Sequence, residues 1–497
     1  MCAERQRLTA VAAALWAAIA ALLGMYMVLF ALVAATRIAR PIEELTYGES
    51  WLLDGARRVA QGEALYAPAD ELPIMHIAYT PLYYFIVGEL QRVVGDHGYT
   101  IGRSVSVVAT LIGAAALGWS LRRLTGRAWV SLLGVGLFLT QNVTLLLWAP
   151  LERADPLALG LTLVGVALII GGRPSLAALV FLGAVFTKQT FIAAPLATAV
   201  FLWPSRAAFA RFVAISGGGL IALVAAAQWL THGWFLWHTV TANSNRADMA
   251  TFASLLGSFL QFNGLTVLSA FASFALPTSA SGERLWRLYF VASLLALPSL
   301  AKLGASSNYW LELSASTAAL LALASWRLTT TKWPAVRLIG PTVVGGALLI
   351  AVPAYQATAV DVASNLAELR QPATPSYVSL VGDAGATPYR VDTRFIDRLA
   401  HEPGALLTDN SGLAAAAGKQ ILFEFQIFQL LQAEGHWAER PILDAIAARR
   451  FALVALMHPL DGPVDGTRWT LKLQSALKAA YVPDGAEAGF WLYRPRP

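Results

Sequence analysis

A chain of 497 residues that is 57% hydrophobic and only 13% charged is not an ordinary soluble domain, where about a quarter of residues carry charge. It reads as a polytopic membrane protein. The net charge of +6 is not a nucleic-acid footprint, because the bases sit in short loops between apolar runs, where they orient the chain and meet anionic lipid heads. The single cysteine, Cys2, excludes an intrachain disulfide, so any part outside the bilayer must hold together by packing.

Arg5 and Arg7 precede the first apolar run, 8–33. That run is too long for a cleaved signal peptide and predicts an uncleaved signal-anchor span. A polar insert follows over 34–100, containing Tyr47-Gly48-Glu49 and Tyr79-Thr80-Pro81-Leu82-Tyr83-Tyr84. Residues 81–94 are short and carry Glu89 and Arg92, so they predict a helix lying in the interface. Further spans are expected over 101–121, 128–147, 156–170, 175–187, 191–203, 212–231, 254–276, 288–300, 309–326 and 335–354. That makes about eleven where each needs about 20 mostly apolar residues, several of them short enough to be tilted or partial. With the N-terminus cytoplasmic, Arg122, Arg123, Arg127, Arg173, Arg206, Arg211, Arg284, Arg287, Arg327, Lys332 and Arg337 all fall inside. The insert, the loops 148–155 and 232–250, the turns 187–189 and 302–308, and the tail then face outward from the cell (inner) membrane.

Hydropathy drops after Tyr355. Residues 361–387 read as loop, with Pro372, Pro375 and Pro388. Strands are expected at 405–408, ending in Asp409-Asn410-Ser411-Gly412, and at 418–422, 451–457 and 490–493. Helices are expected at 425–434, 441–450 and 468–481. The fold class is therefore an α-helical polytopic membrane protein with a small C-terminal α/β extracytoplasmic domain. Its domains would be 1–354 in the membrane and 355–497 outside. The tail has no Gly-rich phosphate loop and no metal-ligand cluster, which leaves substrate gating or structural support as its roles.

Ionisable residues at the outer ends of spans are the candidates for chemistry, because charge at membrane depth usually marks a site. Glu49 is a candidate general base for an acceptor hydroxyl; the structural alternative is a loop acid or helix cap. In Glu152-Arg153-Ala154-Asp155-Pro156, the Asp-Pro pair suits a helix start, so capping explains Asp155 by itself. Arg153 beside it suits a phosphate or an acid of the first insert. Lys188 suits a lipid phosphate, or else snorkels to head groups. The loop from Asn243 to Asp248 contacts sugar or is simply solvated. Asn308 opens a span in which Glu312 lies about one turn inside and should be paired, with Lys302 or Arg153 as the expected partner. Tyr79 belongs to a headgroup-level aromatic belt or stacks on sugar. His76 is a lone histidine with nothing at metal-ligand spacing.

In order along the chain, several stretches carry a resemblance. They are Tyr47-Gly48-Glu49, the stretch Ala56 to Tyr66, Tyr79-Thr80-Pro81-Leu82-Tyr83-Tyr84, Gly102-Arg103-Ser104, Arg153-Ala154-Asp155-Pro156, Phe186-Thr187-Lys188-Gln189 and Asn308-Tyr309-Trp310-Leu311-Glu312. Together they resemble the GT-C superfamily of polyprenyl-phosphate-sugar glycosyltransferases. The likeness is to the bacterial branch similar to protein O-mannosyltransferases and the lipid A aminoarabinose transferase. The resemblance implies a first outer loop with a catalytic acid and a second outer loop with another, carried here by Glu49 and Asp155. Arg153, Lys188, Tyr79, His76, Asn308 and Glu312 would bind substrate. The family often has Asp-Glu in the first loop; here Gly48 precedes Glu49, which leaves Glu49 rather than Asp54 as base and makes a metal-binding Asp-x-Asp doubtful. The implied activity is inverting transfer of a sugar from a polyprenyl-phosphate donor to a glycan, lipid or protein acceptor. It would occur among membrane lipids at the outer leaflet, with no metal, no cofactor and no nucleic acid. The alternatives are a flippase or transporter of lipid-linked sugars, expected to place its charges near the midplane, and a non-catalytic scaffold displaying the tail.

Overall fold

The structure is a computed structural model that describes residues 2–141, 143–278, 280–369, 377–381, 389–464, 466 and 468–497. Most of the chain is helical, and it divides into two compact units. The first comprises Met1–Arg37, Ser104–Leu223 and Arg246–Leu366; the second comprises Ile38–Arg103, Val224–Asn245 and Ala367–Pro497.

The first unit is a bundle of apolar helices. Among the described residues, four helices are long and apolar enough to cross a bilayer: Gln6–Ile38, Tyr99–Thr125, Arg206–Leu230 and Met249–Ala275. A fifth forms if Val336–Ile350 and Val352–Leu369, bent by 47°, count as one span. The expected eleven spans are not reached by length and composition. Ala154–Ile170 has 17 residues, and at about 1.5 Å per residue that is short of a bilayer core of about 30 Å. Pro174–Thr187 and Ala193–Leu202 are shorter still, broken at the turn holding Lys188. These short helices pack into an interior of leucines and aromatics, among them Leu159, Leu163, Phe181, Trp286 and Trp310, all nearly inaccessible. Uniformly apolar helices have no polar face to turn outward, so burial and lipid are their only stable surroundings. The chain is an integral membrane protein.

The second unit gathers the first insert, a short segment around Trp234–Thr239 and the tail. In the insert, which follows α1 (Cys2–Ile38) in the chain, α2 (Glu49–Gln61) is amphipathic, and α3 (Leu82–Val94) occupies the stretch expected to lie in the interface. In the tail a four-stranded sheet has the order β3 (Leu406–Thr408), β4 (Leu453–Leu456), β6 (Phe490–Pro495), β5 (Tyr481–Glu487). β3 and β4 run parallel, and the other pairs are antiparallel. β1 (Tyr377–Leu380) and β2 (Tyr389–Asp392) form a separate antiparallel pair. The helices expected at 425–434, 441–450 and 468–481 form as Phe425–Ala433, Arg440–Ala447 and Leu471–Ala480.

Three tail expectations are corrected. Residues 418–422 are not a sheet strand. Ile74 of the insert takes that backbone instead, donating N–H to Leu422 O at 2.9 Å and bridging Phe423. The loop expected from 361 is helical as far as Leu369 and holds β1; Pro372, Pro375 and Pro388 lie outside the described residues. β5 was hidden by Pro483, Asp484 and Gly485, which an edge strand tolerates.

The insert and tail share buried polar groups. Glu424 Oε2 accepts the His76 N–H at 3.0 Å, and burial pushes its carboxyl up to about 8, aided by nearby Asp54 and opposed by Arg58. His238 Nδ1 accepts the Ile77 N–H at 3.2 Å, and its Nε2 lies 2.8 Å from Ala67 O; burial lowers its pKa to about 4. A raised carboxyl favours the fold below the unfolded value of 4.5 and loses that advantage as pH climbs through 8. The histidine acts oppositely, weakening the fold as pH falls below 6.5 toward 4. Glu424→Gln should therefore remove an alkaline slope of up to about 1.4 kcal/mol per pH unit from the second unit's stability. Thermal melts between pH 5 and 8.5 read this directly, and parallel curves for the two proteins would refute it.

Candidate functional site: two buried ion pairs

Gly48 has φ 94°, a left-handed conformation that glycine adopts without strain. It turns the chain so that Glu49 begins α2, with its N–H on Thr46 O at 3.2 Å. The backbone geometry thus accounts for a glycine where the resembling family often carries aspartate. Glu49 is fully buried, as is Arg103, near the start of α4 (Tyr99–Thr125). Arg103 Nε donates to Glu49 Oε1 and Nη2 to Oε2, both at 2.9 Å, and the Leu45 N–H reaches Oε2 at 2.8 Å. The guanidinium also donates to Arg40 O at 2.8 Å and Glu43 O at 2.6 Å, and lies over the Tyr99 ring. A planar fork matched to a carboxylate gives orientation as well as charge, which lysine could not supply. Arg103 is the residue that sequence reasoning missed. Its signal was available: an arginine one turn into a long apolar helix is expensive without a partner.

The second pair belongs to the first unit. Arg153, in extended backbone, precedes the helix Ala154–Ile170, whose first turn holds Asp155. The capping role that would explain Asp155 by itself is not what the side chain does. Its Oδ1 accepts from Lys188 Nζ at 2.5 Å and from Asn308 Nδ2 at 2.7 Å, and its Oδ2 accepts no hydrogen bond from a described residue. Lys188 follows the last turn of Pro174–Thr187 and is 3% exposed, so it does not snorkel to head groups. Its ammonium lies 5.6 Å from the Tyr309 ring centroid. Arg153 is buried, stacked over Trp148 at 5.3 Å, and its carbonyl accepts from Ser106 Oγ at 3.2 Å. Asp155, Lys188, Asn308 and Arg153 thus come from three stretches far apart in sequence.

Glu312 is buried one turn into Leu311–Thr329, but its surroundings are not those expected. It lies near Tyr289 and the backbone of Ala193 and Ala194, its Oε1 accepts no hydrogen bond from a described residue, and no ion pair joins it to Lys302 or Arg153 among the described residues. His76 is buried in the second unit, with Nε2 2.9 Å from His238 O, a contact that makes that nitrogen the donor. Tyr79 is half-buried, and its carbonyl accepts from Tyr66 Oη at 2.8 Å. No group of three or more His, Cys, Asp or Glu able to hold a metal occurs among the described residues.

No protein-family model matches this chain, and no curated protein matches its sequence. Solved structures do match its fold. ArnT from Cupriavidus metallidurans bound to undecaprenyl phosphate is 13% identical with a TM-score of 0.61, over 94% of this chain and 97% of that one. The apo state of ArnT superposes with the same TM-score at 12% identity, over 95% of this chain and 98% of that one. The archaeal oligosaccharyltransferase AglB from Archaeoglobus fulgidus, in complex with an inhibitory peptide and a dolichol-phosphate, gives 0.51 at 10% identity, over 95% and 74%. The chain has the GT-C fold. Glu49 and Asp155, the two acids singled out in the sequence, are each buried and ion-paired.

Removing one member of a buried ion pair leaves the other charged in low dielectric, at about 3–5 kcal/mol. Lys188→Met should lower stability by an amount in that range. Adding Asp155→Asn should restore part of it, giving a non-additive double-mutant cycle in thermal melts. Strictly additive losses would mean that the two side chains do not interact.

Proposed function

We propose that this protein transfers a sugar from a polyprenyl-phosphate donor to an acceptor hydroxyl, with inversion, at the outer face of the membrane. The observation that carries the reading is the buried Asp155–Lys188–Asn308 cluster. It is set in a fold shared with proteins bound to undecaprenyl phosphate and to dolichol-phosphate. The Lys188 ammonium is a buried point charge suited to phosphate oxygens, and a low-dielectric setting strengthens that attraction.

The division of roles follows from the displacement itself. In inversion the acceptor oxygen approaches the anomeric carbon from the face opposite the departing phosphate. Asp155 lies 2.5 Å from Lys188, so an acid so close to the phosphate-binding cation serves the phosphate side. Its role is to hold Lys188 in place, with Asn308 fixing Asp155 in turn. The proton acceptor is then Glu49. As the new C–O bond forms and the C–O(phosphate) bond breaks, its electron pair leaves with polyprenyl phosphate and the hydroxyl proton passes to Glu49. Arg103 holds the Glu49 carboxylate in one orientation through two hydrogen bonds of 2.9 Å. A carboxylate so placed suffices as acceptor, because a hydroxyl attacking an oxocarbenium-like carbon becomes strongly acidic as it bonds. Arg153 contributes further positive charge on the phosphate side. The cytoplasmic N-terminus and the inner-membrane location are part of the same proposal.

Glu49→Gln is the decisive variant, provided turnover is counted per folded molecule, since the substitution also unpairs Arg103. It should lower kcat by about 10²-fold or more while donor binding persists. Lys188→Gln should chiefly weaken donor binding. Unchanged kcat in folded Glu49→Gln would remove it as base. Movement of intact donor across vesicles without any sugar transfer would replace the whole reading by transport.

A further inference from the structure

We infer that the tail holds the proposed base in place, with Ser411 and Gly412 acting as positioning residues through Glu44. This rests on the reading of Glu49 as base. All the groups concerned lie within the second unit.

Glu44 is 2% exposed, five residues before Glu49. Its Oε1 accepts the N–H of Gly48 at 3.2 Å and of Ser50 at 3.1 Å, the two residues that flank Glu49. Ser50 Oγ donates to the same oxygen at 2.8 Å. A single carboxylate therefore closes the backbone around the base from both sides. Ordering a loop costs conformational entropy at every residue, and a fixed acceptor offsets that cost by holding it in one conformation.

The tail supplies the fixture. The Ser50 hydroxyl meets Ser411 Oγ at 2.9 Å. A Cβ placed on Gly412 would sit 2.5 Å from Glu44 Oε2, so only glycine leaves room for that carboxylate. Behind these residues Asp409 Oδ1 accepts the Met457 N–H at 2.9 Å, just past β4, and Asn410 Oδ1 caps the short helix that follows by accepting the Leu413 N–H at 2.9 Å. Arg57 of α2 donates to Ala415 O at 3.1 Å, tying the helix that Glu49 begins to the same short tail helix, Ser411–Ala416. The Asp409-Asn410-Ser411-Gly412 run, which the sequence shows only as a strand end, is thus the floor beneath the acidic loop.

The test uses the full-length protein in nanodiscs, with hydrogen exchange and steady-state transfer measured on the same preparations. Ser411→Ala and Gly412→Ala should each speed exchange in the 44–50 segment. They should lower kcat, by about tenfold for Gly412→Ala, and leave the KM for the lipid donor unchanged. Ser411→Thr, which keeps the hydroxyl, should restore both readouts. If Gly412→Ala fails to fold, Ser411→Ala and its threonine rescue carry the test. Unchanged exchange at 44–50 overturns the brace. Faster exchange with wild-type kcat overturns its positioning role. If the wild-type protein transfers no sugar, the functional reading fails, and the exchange data still decide whether the tail holds the loop.

Discussion

The Glu49–Arg103 pair is the constraint around which the second unit is organised. Two fully buried charges are stable only when every donor and acceptor is met, and here the satisfaction is unusually complete. The guanidinium spans the carboxylate, two loop carbonyls and an aromatic face. The loop around Arg40 to Ser50 takes its shape from those demands. Once it is folded that way, Gly48 must be left-handed, and Glu44 comes to lie where it can take the amides flanking Glu49.

Asp155–Lys188 follows the same physics in an apolar bundle, with a different result. Its carboxylate concentrates two donors on one oxygen and leaves the other without a described partner. An incompletely satisfied ion pair at the end of short helices is a poor way to stabilise a protein and a reasonable way to receive a ligand. The helix breaks that make those spans short are also what place Lys188 in a turn rather than along a helix face. Shortness and chemistry therefore have one cause.

Much of this was legible in the residues. Composition gave the membrane class, and the ordered motifs gave the GT-C likeness that the ArnT and AglB superpositions bear out as a fold. Glu49, Asp155 and Lys188 stand out as charges at the outer ends of apolar runs, and Asn308 through the ordered motifs. Pairing was not legible. Glu312 is assigned to distant cations because a sequence displays charges, whereas its side chain is buried near Tyr289 and the backbone of Ala193 and Ala194. Residues 418–422 have a strand's composition, yet nothing in them says that Ile74 would take their backbone. His76 likewise looks available in sequence and is enclosed by His238 and Glu424. Gly412 shows least of all: its importance lies in an atom it lacks.

The central claim is that a lipid-linked sugar is consumed here. It is met most directly by mass spectrometry of envelope glycans and polyprenyl-phosphate sugars from cells with and without this chain. The account predicts that its loss removes one sugar from one envelope product while the corresponding polyprenyl-phosphate sugar accumulates. Identical glycans and identical lipid-linked pools in the two strains would contradict it.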